Sequence, residues 1–173
     1  GFDADFRATG KTGVFISGRG VAIDAVVADF ISGAVEWIAP AAAPNHWDLI
    51  EGQGSLFHPS FAGVSLGLLH GAQPDCFVVC HEPTRKTMRG VAHPLPSIRE
   101  VIELNIRCGQ LTNPAIQPVG ISVNTEHLSE IEARRLVEAL EKEHALPATD
   151  PIRFGVGSVV RNMLNLYPQS KAA

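Results

Sequence analysis

No apolar run in this sequence approaches the roughly 18 to 20 residues needed to cross a bilayer, so the chain reads as non-membrane. Basic residues are too few and too scattered to form a nucleic-acid footprint: Lys and Arg number 14 against 18 Asp and Glu, a net charge of −4. Cysteine is scarce, and its count of three is odd, which excludes a disulfide framework and points to reduced, buried thiols in a cytoplasmic protein. Cys76 and Cys80 fall on one face of an expected strand, but no third or fourth ligand is spaced for zinc. No repeat or low-complexity tract is present. Apolar residues make up 45% and charged residues 18%, which excludes disorder. One domain over residues 1–173 is the expectation. The chain opens at Gly1 rather than Met, almost directly into a strand, which leads us to expect further residues upstream of it.

The densest polar chemistry lies in His46–Pro59, HWDLIEGQGSLFHP. Trp47 to Ile50 is an apolar strand, and Glu51-Gly52-Gln53-Gly54 breaks it. A strand of an open parallel sheet that ends in an acid delivers that acid to the carboxyl edge, where ligands bind. The glycines let backbone N–H groups approach a ligand. A second apolar run, Cys76 to Cys80, delivers His81 and Glu82 in the same way. A third, Pro118 to Val123, ends in Asn124 and Thr125. The Cys76–Cys80 run lacks alternation, as a parallel strand covered on both faces does.

Helices are expected between them. The apolar period of Val21 to Ile38 predicts one long helix, buried against a sheet or a partner subunit. Further helices are expected over 61–70, over 97–108 and 129–144 behind the S-x-x-E capping boxes at Ser97 and Ser129, and over 155–166. The alternation of strand and helix implies an α/β fold with three layers: a mainly parallel sheet with helices on both faces.

Ala8-Thr9-Gly10-Lys11-Thr12 resembles the tail of a phosphate-binding loop. The full pattern requires a glycine five positions before the Gly-Lys pair, and Asp5 stands there. That loop should also open a helix, whereas Gly13-Val14-Phe15-Ile16 reads as extended. Lys11 and Thr12 can still contact an anion through loop N–H groups and an ammonium.

ADFRATGKTG, GVAIDAVVADFISGAVE, HWDLIEGQGSLFHPSFAGVSLGLLHGAQPD, CHEP and PVGISVNT together resemble the C-terminal P-loop-type domain of the D-glutamate N-acetyltransferase family, formerly a domain of unknown function. The likeness covers essentially the whole chain. More distantly, WDLIEGQGS and GISVNT are similar to the acidic segment and the adenine-contacting strand of dethiobiotin synthetases. In that wider class a Lys and a Thr follow the first helix near the substrate, and Lys11 and Thr12 fall in about that place. The family's smaller N-terminal domain, first strand and phosphate loop have no counterpart in this sequence, so the resemblance implies a P-loop-like domain lacking those parts, with the remaining portion of the protein elsewhere.

The resemblance implies transfer of acetyl from acetyl-CoA to the amine of D-glutamate. Such a reaction needs a general base near the amine and fixed donors near the thioester oxygen. Glu51, His81 and Glu82 are the candidate bases, and Gly52, Gly54 and Ser55 the candidate donors. Arg7, Lys11, Arg19 and Arg85 are available for the acceptor's carboxylates, with Thr9 and Thr12 beside them. Asn124, Thr125 and Asp150 are expected at the nucleotide end of the cofactor.

Each candidate has a plainer reading. His58 and His70 suit structural histidines, Asn124 a turn, and Asp24 simple helix-dipole stabilisation. Two other functions remain open. One is an ATP- and Mg-dependent ligase or kinase resembling dethiobiotin synthetase, with Glu51 on the metal. The other is a non-catalytic nucleotide-binding module using the Val21–Ile38 helix as a dimer surface. A homo-oligomer acting on a small molecule is expected in the enzyme readings.

Overall fold

The computed structural model describes residues 2–168. The chain divides into two compact units: residues 2–74 with 107–114, and residues 75–106 with 115–168. All described strand pairs are parallel, as the alternation of strand and helix implies. They hydrogen-bond in two sets, one within each unit.

In the first unit, β1 (Ala4–Arg7) pairs with β2 (Trp47–Ile50), Ala4 facing Trp47 and Arg7 facing Ile50. Side chains alternate across a strand, so Asp3, Asp5 and Arg7 share a face with His46 and Asp48. That face is ionic. Arg7 Nε donates to Asp48 at 2.6 Å and its guanidinium reaches Asp5 at 3.3 Å. Arg19 reaches Asp5 at 2.8 Å, and His46 Nδ1 lies 3.2 Å from Asp3.

Two expectations fail here. The stretch after Gly10 is not extended but helical, forming α1 (Lys11–Ser17). The loop that leads into it is held from a distance by the carboxylate of Glu51, just after β2, as described below, and no local signal reveals that. Nor is Val21–Ile38 one helix. It begins with two short 3-10 turns, Ile23–Ala25 and Ala28–Phe30, and only Ile31–Ile38 forms the α-helix α2. The β-branched Val26 and Val27 are extended (ψ 142° and 135°), a conformation their stiff side chains favour. Upstream, Gly20 (φ 136°) brings the chain against Ala8, where a Cβ would strike the Ala8 carbonyl. Val21 and Ile23 N–H then donate to Ala8 and Thr9 carbonyls, both at 3.0 Å. Tertiary ties outweigh helical period in this stretch. Ile23 and Val35 are fully buried, whereas Val27, Phe30 and Trp37 stand exposed.

Helix α3 (Ala62–Ala72) lies against α2 through two glycines one turn apart. A Cβ on Gly67 would meet Ile31, and one on Gly71 would meet the backbone of Ser32. The close approach lets Ser32 Oγ donate to the Gly67 carbonyl at 3.0 Å.

The second unit orders its strands β3 (Cys76–His81), β4 (Gln117–Val123) and β5 (Ala148–Thr149), with β4 in the middle. Val79, Ile121, Val123 and Ala148 form its core with Ile98 of α4 (Ile98–Gly109) and Leu140 of α5 (Glu130–His144). Both capping boxes form: Ser97 and Glu100 bond reciprocally, as do Ser129 and Glu132. The final helix, α6 (Gly157–Leu166), starts two residues later than the sequence suggests. Cys80 is not the core thiol expected. It stands exposed on the same face of β3 as Val78, which is 41% exposed. No described helix is long and apolar enough to cross a membrane.

Candidate functional site

Glu51, His81 and Asn124 each lie where a parallel strand ends: Glu51 just after β2, His81 as the last residue of β3, and Asn124 just after β4. Each of the two units carries a cavity at such a strand end.

In the first unit a cavity of about 320 Å³ is lined by Gly10, Lys11, Thr12, Asp24, Glu51, Gly52 and Gln53. Glu51 is its organiser. Its Oε2 accepts the backbone N–H of Thr9 and of Gly10, both at 2.9 Å. The Glu51 carbonyl accepts the Thr9 hydroxyl at 2.7 Å, and Gln53 Nε2 donates to that same hydroxyl at 2.9 Å. The N–H groups that a phosphate-binding loop would offer an anion thus hold a carboxylate of the chain itself. A Cβ at Gly13 would overlap it. Glu51 Oε1 has no hydrogen-bond partner among the described residues. Lys11 Nζ meets Asp24 Oδ2 at 2.5 Å across the cavity, with side-chain exposures of 71% and 42%.

Of the residues expected to bind substrate here, Lys11, Thr12 and Gly52 line the cavity. Thr9 is fully buried and acts as the tie just described. Arg7 and Arg19 are engaged in the ionic face of β1 and β2. Gly54 lacks a Cβ because Phe61 packs where one would stand, and Ser55 Oγ accepts the N–H of Phe57 at 3.1 Å in a local turn. The structural histidines are as expected. His58 is 6% exposed and accepts the N–H of Ser60, and His70 bonds the Cys108 carbonyl at 3.1 Å. Sequence reasoning missed Asp24 as a lining residue, since its neighbours alone explain an acid there.

In the second unit a cavity of about 740 Å³ has His81, Glu82, Arg85, Asn124, Asp150 and Arg153 among its lining residues. Burial, the largest influence on His81, lowers its pKa; Glu82 opposes this and Arg85 assists it, and the net shift is downward. The ring is therefore neutral at physiological pH and able to accept a proton. Glu82 is a weaker base. Its carboxylate accepts the hydroxyl and the N–H of Thr84, and the hydroxyl bond chiefly holds its pKa below the ordinary value. Arg85 Nε reaches Glu82 at 3.5 Å. Asn124 Oδ1 accepts the N–H of Glu126 at 3.0 Å.

Thr125 and Asp150 bond each other. Asp150 Oδ2 takes the Thr125 hydroxyl at 2.5 Å and its N–H at 3.0 Å, and Oδ1 takes the N–H groups of Ile152 and Arg153. Thr125 has no exposed surface. The pair fastens the loop after β5 beneath the cavity.

Residues 1–160 match a protein family described as a domain of unknown function, the DUF1611_C P-loop domain. The chain belongs to that family. Curated relatives include a "D-glutamate N-acetyltransferase" from Pseudoalteromonas, 57% identical over 93% of this chain and 49% of its own. Another of the same description, from Tritonibacter scottomollicae, is 49% identical over 92% of this chain and 48% of its own. A DUF1611 family protein of known structure from Anabaena variabilis superposes with a TM-score of 0.87 at 36% identity, covering 95% of this chain and 49% of that one. This member of the family spans about half the length of the curated relatives it matches.

Proposed function

We propose that this chain is part of an N-acetyltransferase that moves acetyl from acetyl-CoA to the amino group of D-glutamate. The observation carrying this reading is the 57% identity to a relative named for that activity, extending over 93% of the chain. The geometry is compatible with it. The smaller cavity, about 320 Å³, is at the lower limit of ligand pockets, roughly 300–1,000 Å³, and suits an amino acid better than a nucleotide. The larger, about 740 Å³, is of a size for the nucleotide end of CoA, with Asn124, Arg85 and Arg153 on its wall.

In this reading Glu51, anchored through Oε2, uses its uncommitted Oε1 to take a proton from the substrate ammonium. The freed amine attacks the thioester carbonyl carbon. A C–N bond forms, the C–S bond breaks, and CoA leaves as thiolate, which recovers a proton. Lys11 offers a cation to a substrate carboxylate, and Gly52 offers unobstructed backbone to the oxygen that gains charge.

The test is thiol release from acetyl-CoA across D- and L-amino acids, with wild type and Glu51→Gln. Release with D-glutamate that falls by about a hundredfold or more in the variant is expected, given the usual worth of a general base. Unchanged turnover in Glu51→Gln would remove Glu51 from the chemistry. No release with any amine would remove the acetyltransferase reading.

A further inference from the structure

We propose that Asp24 and Lys11 form an exchangeable pair that reads an amino acid as a zwitterion. The substrate ammonium displaces Lys11 from Asp24, and a substrate carboxylate displaces Asp24 from Lys11. This deepens the acceptor assignment above and names a binding residue that no motif in the sequence marks.

Three observations carry it. First, the carboxylates lining the smaller cavity are Glu51 and Asp24. Glu51 is held at Oε2 by two backbone N–H groups, whereas Asp24, among the described residues, meets Lys11 alone, at 2.5 Å. An ammonium entering here finds Asp24 as the carboxylate whose partner can be traded like for like.

Second, the pair is easily opened. Its members are 71% and 42% exposed, and an ion pair in that setting contributes little and is screened by salt. Replacing each partner by a substrate group of the same charge restores both contacts. An α-ammonium and its carboxylate are one carbon apart, so both can reach groups that begin in contact.

Third, Asp24 is held where it is needed. It adjoins the fully buried Ile23, whose N–H is fastened to the Thr9 carbonyl at 3.0 Å. The 3-10 turn carrying Asp24 and the loop that leads into Lys11, at the start of α1, are therefore fixed to each other, as a preorganised site requires.

Calorimetric titration of the purified protein with D-glutamate and with glutarate, which lacks the amine, tests the pair. Asp24→Asn should weaken D-glutamate by about tenfold or more, the usual loss for one charge-assisted contact, and leave glutarate unchanged or tighter. Lys11→Gln should weaken both ligands. Asp24→Glu, which keeps the charge, should retain the preference for D-glutamate over glutarate. Equal weakening of the two ligands by Asp24→Asn would show that Asp24 merely holds Lys11, and would overturn the proposal. So would failure of wild type to bind D-glutamate more tightly than glutarate. Because the readout is binding, it stands apart from thiol release. Discrimination without acetyl transfer would end the acetyltransferase reading and leave the zwitterion site, and the reverse result would do the opposite.

Discussion

Glu51 Oε2 occupies the space that a Cβ on Gly13 would fill. The two residues are far apart in sequence, and the carboxylate reaches the loop before α1 to accept the N–H groups of Thr9 and Gly10. A glycine at position 13 is thus a steric condition for seating an acid at the end of β2. Gly13→Ala should cost about 1–3 kcal/mol, the usual range for overpacking a filled site, measured by urea denaturation. In a Glu51→Ala background the same substitution should cost much less, so the double-mutant cycle should show coupling between the two positions. Additive effects would mean that the two side chains do not compete for this space.

Helix α3 offers an internal contrast. A Cβ at Gly63 meets nothing within 4 Å, whereas one at Gly71 would collide with the Ser32 backbone of α2. Gly63→Ala should stabilise the protein by about 0.5–1 kcal/mol through helix propensity alone. Gly71→Ala should destabilise it by about 1–3 kcal/mol. Thermal melts of the two variants should shift in opposite directions.

Asp150 makes stability depend on acid. Burial acts to raise its pKa, but hydrogen bonds from Thr125, Arg153 and Ile152 outweigh burial and hold it below the ordinary 3.8. A lowered folded pKa means that the unfolded chain takes up the proton first. The stabilisation is therefore complete above 3.8 and is lost as pH falls from there through the folded value. Asp150→Asn should lose roughly 2 kcal/mol at neutral pH, because it strips charge from a buried acceptor. Its denaturation midpoint should then fall less steeply than that of wild type on further acidification. Parallel curves for the two proteins would refute this assignment.

Cys80 is exposed, yet the same kind of argument favours its protonated thiol. Although the residue is exposed, the protein around its sulfur desolvates the thiolate and raises the pKa above 9.0, and only the thiolate attacks alkylating agents. In a Cys76→Ser, Cys108→Ser background, alkylation by iodoacetamide at neutral pH should be slower than for an unstructured thiol peptide. A rate equal to the peptide's would contradict the shift.

Where information was local, the sequence was readable. Both S-x-x-E boxes predicted helix starts at Ser97 and Ser129, and the apolar runs at Trp47, Cys76 and Pro118 predicted parallel strands. Glu51, His81 and Asn124 stand at strand ends as their spacing implied. What was hidden depended on partners distant in the chain. The loop that turns into the helix after Gly10 is held by Glu51, and the 21–30 stretch is pulled out of helix by bonds to Ala8 and Thr9. Asp24 became a site candidate only once Lys11 was seen opposite it. Thr125 and Asp150 likewise face each other across 25 positions, so neither could be recognised alone as a structural tie.

The ionic face of β1 and β2 has a consequence for how the two strands find their alignment. A four-residue parallel ladder has little backbone preference among registers, and slipping it by one residue would swap its faces. With Asp5 aligned to Asp48, two like charges sit side by side, and Arg7 touches both acids while Arg19 covers the first. A slide of one pleat would break that shared grip. The arginine thus works as an alignment key, and the position of Glu51 at the strand's end is inherited from it.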